Sequence, residues 1–579
     1  MRYIYITGIL LFFNLALSAQ DLDPTVEVTR EYEGKLVEAH KPSLEMSIPD
    51  TLTRFALDFD YSVFENPYQG SYEFSPYTLS MKPSVSDTGE KQLYLRAGVG
   101  YQLHPEFDLV WSPKIKSKMF NMDIYATHKS FIGNYLKMTL EEVSDSEDKV
   151  VRVPKGQDDR FWFGYDILSR AGMDFRFDTE RMAVNLKTGY YGVARRNLLR
   201  DASLNAFDAS FGLTSKPESK GDILYDIDMA YRFAQDNFST SSYLNEHLFD
   251  FDVYFGPLLK THNKIDFKVG VDFSSYDGLM SYTIGEVSVS PRYVHQSERA
   301  NLCLGVLLAK MIGSDDLGLI FKLKDQIIYP NISFDYVLIP DAMKFHIAAK
   351  GGNTINTYSS IVEKNHHMTY ASVSSAIGNT LERINASAGF DGRITSRFRY
   401  NLMGGYVNYG SALLDAVVVD REQYAYMEYA PYNKWFLSLG CTLEIDSYRF
   451  DGKVSYDRAW GDIFETGDGK VAVLKPAAFN GEAAFEYNWN RRIFGGVDCR
   501  FMTARRGARE VPAASSDAPV LRALSIPGFA DVGIYGEYVT SLGLSAWLKV
   551  GNLLNMTVQR NPLYAEKGVN FTVGICYSL

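Results

Sequence analysis

The chain has 579 residues, 46% of them hydrophobic and 14% aromatic, with 39 Tyr, 36 Phe, 45 Gly and a formal net charge of −11. An acidic chain is poorly matched to nucleic acid or to an anionic membrane surface, so neither is expected as a partner. A mean hydropathy of −0.16 with this aromatic content fits a barrel with a polar lumen, aromatic interfaces and glycine turns; it also fits a soluble all-β protein.

Residues 1–19 read as a signal peptide. Arg2 is the basic start, Ile4 to Leu17 the apolar core, and Leu17-Ser18-Ala19 precede a cut before Gln20. No Cys follows the apolar core, so a lipid anchor is not expected. Beyond residue 20 there is no run of about 18 apolar residues that would make a spanning helix. Residues 20–52 are polar, carry Pro24, Pro42 and Pro49, and lack strand alternation, which predicts an extended periplasmic arm.

The barrel is expected over 53–579. It opens with Phe55, Leu57, Phe59, Tyr61 and Val63 alternating with Ala56, Asp58, Asp60 and Ser62, so that Asp58 and Asp60 face a lumen. Tyr94 to Val99 and Phe107 to Trp111 flank a turn at His104-Pro105. The charged stretch from Glu141 to Arg160 reads as an exposed loop. Met173 to Phe177 and Met182 to Leu186 form a compact hairpin. Alternation returns at Ile223 to Met229, Phe249 to Phe255 and Ile265 to Phe273, with Asp226, Asp228, Asp250 and Asp252 on the polar face. It continues to the end of the chain, with tight turns at Pro340-Asp341, Asp446-Ser447 and 488–492. Longer loops are expected at 353–382, 411–423, 462–475 and 504–527, and those at 462–475 and 504–517 are able to fold inward. The length accommodates roughly 16–22 antiparallel strands. The predicted fold is therefore all-β, a large transmembrane barrel in contact with outer-membrane lipid.

Chemistry-bearing motifs are sparse. Cys303, Cys441, Cys499 and Cys576 form no CxxC pair and read as single thiols set in strands. His366-His367 reads as an exposed loop pair without carboxylates at ligand spacing. There is no Gly-x-Ser-x-Gly, phosphate loop or zinc-helix motif. No catalytic residue, metal or cofactor is expected, and the chain is not read as an enzyme.

The final stretch carries the most specific signal. Phe571, Val573, Ile575, Tyr577 and Leu579 alternate with Thr572, Gly574, Cys576 and Ser578, after an Asn552-Leu553-Leu554-Asn555 turn and Gly568. This end resembles the C-terminus of TonB-dependent outer-membrane receptors, with Leu579 where Phe is usual. The resemblance implies a 22-stranded barrel and a transport role. Thr25, Val26, Glu27, Val28 and Thr29 resemble a TonB box, the segment by which such receptors add a strand to a periplasmic protein; the same stretch is compatible with a disordered arm. Receptors of the family carry a globular plug before the barrel. With alternation starting at Phe55 a plug has no room, so the chain looks like plugless, receptor-like barrels of Bacteroidetes-type bacteria.

Two functions fit. One is a transport or pore-type barrel. The other is a structural or accessory subunit of an envelope complex, docking periplasmic or surface proteins. Early acidic residues and late Arg491, Arg492, Arg505 and Arg506 would meet across the lumen, either as a transverse field on a solute or as ion pairs filling the barrel. The solute itself is not legible.

Overall fold

The computed structural model describes residues 92–579, apart from short segments at 116–118, 145–149, 197–200, 217–222, 240–241, 261–262, 316–324, 369–372, 374–375, 419–423, 465–470, 513–518 and 542. The expected signal peptide, the arm with Thr25 to Thr29, and the strand bearing Asp58 and Asp60 lie outside the described residues.

The chain begins with β1 (Leu93–Gly100), β2 (Glu106–Trp111), β3 (Phe120–Ser144), β4 (Val150–Asp178), β5 (Met182–Arg196), β6 (Asp201–Ser215), β7 (Ile223–Ser239) and β8 (Ser242–Lys260). There follow β9 (Asn263–Gly278), β10 (Tyr282–Gln296), β11 (Ala300–Asp315), β12 (Ile328–Ile339), β13 (Met343–Asn356), a short helix α1 (Tyr358–Lys364), β14 (Gly378–Thr395) and β15 (Phe398–Val418). The remainder is β16 (Tyr424–Ile445), β17 (Tyr448–Trp460), β18 (Val471–Val473), β19 (Phe479–Trp489), β20 (Ile493–Met502), β21 (Arg505–Pro512), β22 (Pro519–Ile526), β23 (Phe529–Val539), β24 (Leu544–Gly551) and β25 (Asn570–Ser578).

Twenty-two of these strands close one antiparallel barrel. Each pairs with its sequence neighbour, except that β17 passes to β19 and β20 to β23. The three left over, β18, β21 and β22, belong to connections. Closure joins β25 to β1, from Tyr94 opposite Ser578 to Gly100 opposite Thr572. Leu579 completes it through its backbone: its N–H donates to Leu93 C=O at 2.9 Å, and its own C=O accepts from Gln92 and Leu93. Its side chain is exposed, so Leu in place of Phe leaves the closing hydrogen bonds unchanged.

Alternation does the work expected of it. On β8 and β9, Phe249, Phe255, Phe267 and Phe273 are exposed on the outer face. Asp250 lies opposite Asp272 on the inner one. The same outward set includes Leu304, Leu308, Ile347, Leu437 and Leu439. An apolar girdle this extensive is unfavourable against water and is satisfied by lipid. Aromatic rings cluster near the short-turn end, with Phe120 stacked on Phe175 at 6.2 Å, Phe255 on Phe267 at 5.8 Å, and Tyr448 against Tyr487 at 4.8 Å. Rings placed in this way suit a membrane–water interface.

Connections differ between the two ends. At the end holding Leu93 and Leu579 they are short, and Asp341, Asn490 and Arg491 take positive φ to make tight turns there. The opposite end carries the connections 316–327, 357–377, 461–478, 503–528 and 552–569. Sequence reading misplaced several features of this end: the loop expected at 411–423 is strand as far as Val418, paired with β16, and the one expected at 353–382 is shortened by the ends of β13 and β14. The charged run 141–160 is also strand over its described residues 141–144 and 150–160, where β3 and β4 stay paired out to Ser144 and Val150. A ladder needs only backbone partners, so charge on both faces is compatible with strands that project into water.

Candidate functional site

The lumen does not run open from end to end. β15 and β4 lie eleven strands apart in either direction around a ring of 22, which puts them on opposite walls. A strip of sheet connects them. Ala416, Val417 and Val418 of β15 pair with Val473, Ala472 and Val471 of β18. The strip passes to β21 where Lys475 N–H donates to Arg506 C=O at 2.8 Å. β21 pairs with β22 from Arg505–Ile526 to Pro512–Pro519. β22 then runs parallel to β4 at Ala523–Val151 and Leu524–Arg152. Gly507 permits the β18–β21 approach, since a Cβ there would sit 2.5 Å from Val473 C=O. Val417, Ala472, Leu474, Leu524, Ile526 and Leu563 are buried together along this strip.

A second obstruction is α1. Thr357 caps it through a reciprocal capping box with Ser360, and at two turns it is too short to persist without tertiary contacts. Tyr358, Ile361 and Val362 bury against Tyr191, Leu204, Ala234, Leu244 and Ile284, which come from β5, β6, β7, β8 and β10. Polar contacts fix its position. Asp236 accepts from Arg195 at 2.5 Å and from Tyr358 Oη at 2.8 Å. The Arg195 and Asp236 side chains are 3% and 0% exposed. The Glu246 carboxylate accepts the Ser359 N–H at 3.1 Å, at the positive end of the helix. Arg232 reaches Asp208 and Glu363 at 2.5 and 3.1 Å.

The connection 552–569 also folds inward, and the Asn552-Leu553-Leu554-Asn555 motif is what turns it. Asn552 and Asn555 both have positive φ, 47° and 50°. The buried Asn552 side chain receives Met556 N–H at 3.0 Å and donates to Met556 C=O at 2.8 Å. Arg505 ties this connection to the strip, donating to Asp415 at 2.6 Å and to Arg560 C=O at 2.9 Å. His367 lies between Tyr135 and Tyr564, stacked on the latter at 4.7 Å. Burial holds its imidazole down, to about 4, and pushes the Tyr564 phenol up to about 12.

Between these loops and the wall lies a cavity of about 1130 Å³. It is lined by β1–β4, β15, β16, β20, β21 and β23–β25 together with the folded connections. Eleven Lys and Arg side chains face it against eight carboxylates. At the seam, Trp547 lies over Gly98 and Gly574, where a Cβ would meet its ring at 2.4 and 2.5 Å. Arg96 packs over the Trp547 ring at 4.0 Å.

The residues singled out from the sequence distribute unevenly over this site. Arg491 and Arg492 fall in the exposed 490–492 turn, where Arg491 N–H is held by Asn488, and neither lines the cavity. Arg505 does, paired with Asp415. Asp226, Asp228, Asp250 and Asp252 occupy inward positions on β7 and β8, away from the cavity just described. His366-His367, expected in solvent, is half-buried, with His366 bonded to Asp166 at 2.7 Å; the loop carrying it folds into the barrel. The inward folding of 471–475 and of 505–512, the described parts of those two loops in the strip, agrees with expectation. The four cysteines are free, one each on β11, β16, β20 and β25. Arg500, Lys549 and Lys567 were missed. The first two sit at inward positions of strands whose alternation was recognised, and that signal could have found them.

No family model and no curated protein matches the chain. Solved structures do. The FrpB iron transporter from Neisseria meningitidis matches with a TM-score of 0.57 at 10% identity, over 85% of this chain and 82% of that one. The siderophore receptor PirA from Acinetobacter baumannii gives 0.56 at 8% identity, over 86% and 81%, and the copper transporter OprC gives 0.57 at 10%, over 86% and 82%. The barrel has the fold of the TonB-dependent receptors.

Proposed function

We propose that this chain is an outer-membrane transport barrel of receptor type, exported by its signal peptide in a Bacteroidetes-type bacterium. Loops of the barrel itself take the place that a separate plug occupies in TonB-dependent receptors. The observation that carries the reading is the strip of sheet from β15 to β4 above a charged cavity. A general diffusion pore would leave such a lumen clear. A structural lid over a chamber lined with charged side chains instead suits selective, gated passage. Within this reading the segment Thr25 to Thr29 offers a strand to a periplasmic energy-transducing partner, which chemical cross-linking with and without those residues would test.

The test of transport is single-channel conductance in planar bilayers, comparing the full chain with a variant whose 505–526 hairpin is replaced by a short Gly-Ser linker. Little steady current in the full chain and large steady current in the variant supports transport. Silence in both favours the second reading, an accessory subunit of an envelope complex. The ion network that ties α1 to four strands, β5 to β8, is the observation on that side.

A further inference from the structure

The cavity reverses the sign of the chain that encloses it, with cations outnumbering carboxylates in a protein of net charge −11. Pairing sharpens the imbalance. Of the lining cations, Arg505, Arg560 and Lys434 have a carboxylate within 4 Å, and Lys364 has a contact of its own. On the acidic side, Asp415, Asp531 and Glu566 are taken up by Arg505 and Arg560, Asp166 by His366, and Glu363 by Arg232.

What remains is concentrated at the barrel seam. Lys549 on β24 lies opposite Thr572, which in turn lies opposite Gly100 of β1. Lys129 on β3 and Arg500 on β20 flank it, and Lys567 enters from the folded connection with Nζ 5.7 Å from the Phe131 ring. None of these four forms an ion pair among the described residues. Glu106, Asp108 and Asp498 are the unpaired lining carboxylates, and Arg96, Arg170 and Lys475 add further positive charge while stacking on Trp547, Tyr191 and Phe464. Burial holds the Lys567 ammonium below the usual lysine range, with Glu106 opposing the shift and Lys549 adding to it. Like charges converging in a partly desolvated chamber raise the free energy of the empty site, and a multivalent anion removes that penalty.

We infer that the cavity is a binding site for a small polyanion bearing carboxylate or phosphate groups, gripped at the seam by Lys129, Lys549, Lys567 and Arg500. The inference rests on the transport reading for the role of that anion as solute; the binding itself is separable. The experiment is isothermal titration of the detergent-solubilised protein with inorganic pyrophosphate and, separately, with citrate. It uses both the full chain and the hairpin-replaced variant. Binding that weakens as salt rises is expected. Affinity should fall tenfold or more in Lys549→Gln/Lys567→Gln, persist in Lys549→Arg/Lys567→Arg, and strengthen in Glu106→Gln. Response to pyrophosphate alone assigns a phosphate ligand, and to citrate alone a carboxylate one. No binding of either anion to either form overturns the inference, as does equal affinity in the Lys→Gln variant. Anion binding by a protein whose hairpin-replaced form stays silent would uphold the site and sink transport; conduction without anion binding would do the reverse.

Discussion

Asp236→Asn is the sharpest perturbation of the lumen plug. The substitution keeps shape and still accepts from Tyr358 Oη, but it leaves the Arg195 guanidinium without a counter-charge at a site where both side chains are essentially unexposed. Removing one partner of a buried pair typically costs about 3–5 kcal/mol, because the remaining charge stays desolvated. Tyr358→Phe removes only one hydrogen bond to a charged group and should cost about 1.5–3 kcal/mol. The wall ladder around β5 and β7 does not depend on either side chain, so the loss should appear as undocking of α1. Limited proteolysis within 357–377 on protein in lipid vesicles reads it directly. Cleavage in Asp236→Asn should rise by about two to four orders of magnitude if the whole penalty falls on docking. The pair is not fully satisfied, since Arg195 Nη1 and Asp236 Oδ1 have no hydrogen-bond partner among the described residues. Arg195→Met/Asp236→Leu should therefore be much closer to wild type than the single change. If Asp236→Asn cleaves like wild type, or if the double variant is as damaged as the single one, the pair does not hold the helix.

Three further outcomes are expected. Lowering pH from about 6.5 to about 4 should loosen the same loop. His367 titrates lower when folded than unfolded, so the unfolded state binds the extra proton in that window and docking stability falls with pH; protease sensitivity should rise across it and flatten in His367→Phe. Gly98→Val should displace Trp547 from its seat at a cost of about 1–3 kcal/mol, seen as a shift in Trp emission and a lower urea midpoint, with Trp547→Ala relieving the clash. The strand register places Cys441 and Cys499 on the lipid side and Cys303 and Cys576 on the lumen side; lipid-soluble thiol reagents should label the first pair preferentially in vesicles, and the opposite preference would refute the register.

Much of the barrel was legible because its physics is local. A period of two, with Phe249 to Phe255 outward and Asp250 and Asp252 inward, needs no knowledge of distant partners, since a strand between lipid and a polar lumen must alternate. The Asn552–Asn555 turn and the glycines at 568 and 574 were legible only through the resemblance of this end to the receptor C-terminus; in the structure the two asparagines take positive φ and Gly574 leaves room for the Trp547 ring of the neighbouring strand. Tertiary structure alone decided what fills the lumen. Nothing in Val471–Val473 or Arg505–Pro512 says that they join opposite walls, because a cross-barrel strip is made of backbone pairs between segments far apart in sequence. Charge fared likewise. Arg491 and Arg505 look alike in the sequence, yet one tops an exposed turn and the other lies buried against Asp415. Alternation specifies which face a residue takes; which inward residues share a chamber is set by the closure of 22 strands and the path of the loops between them.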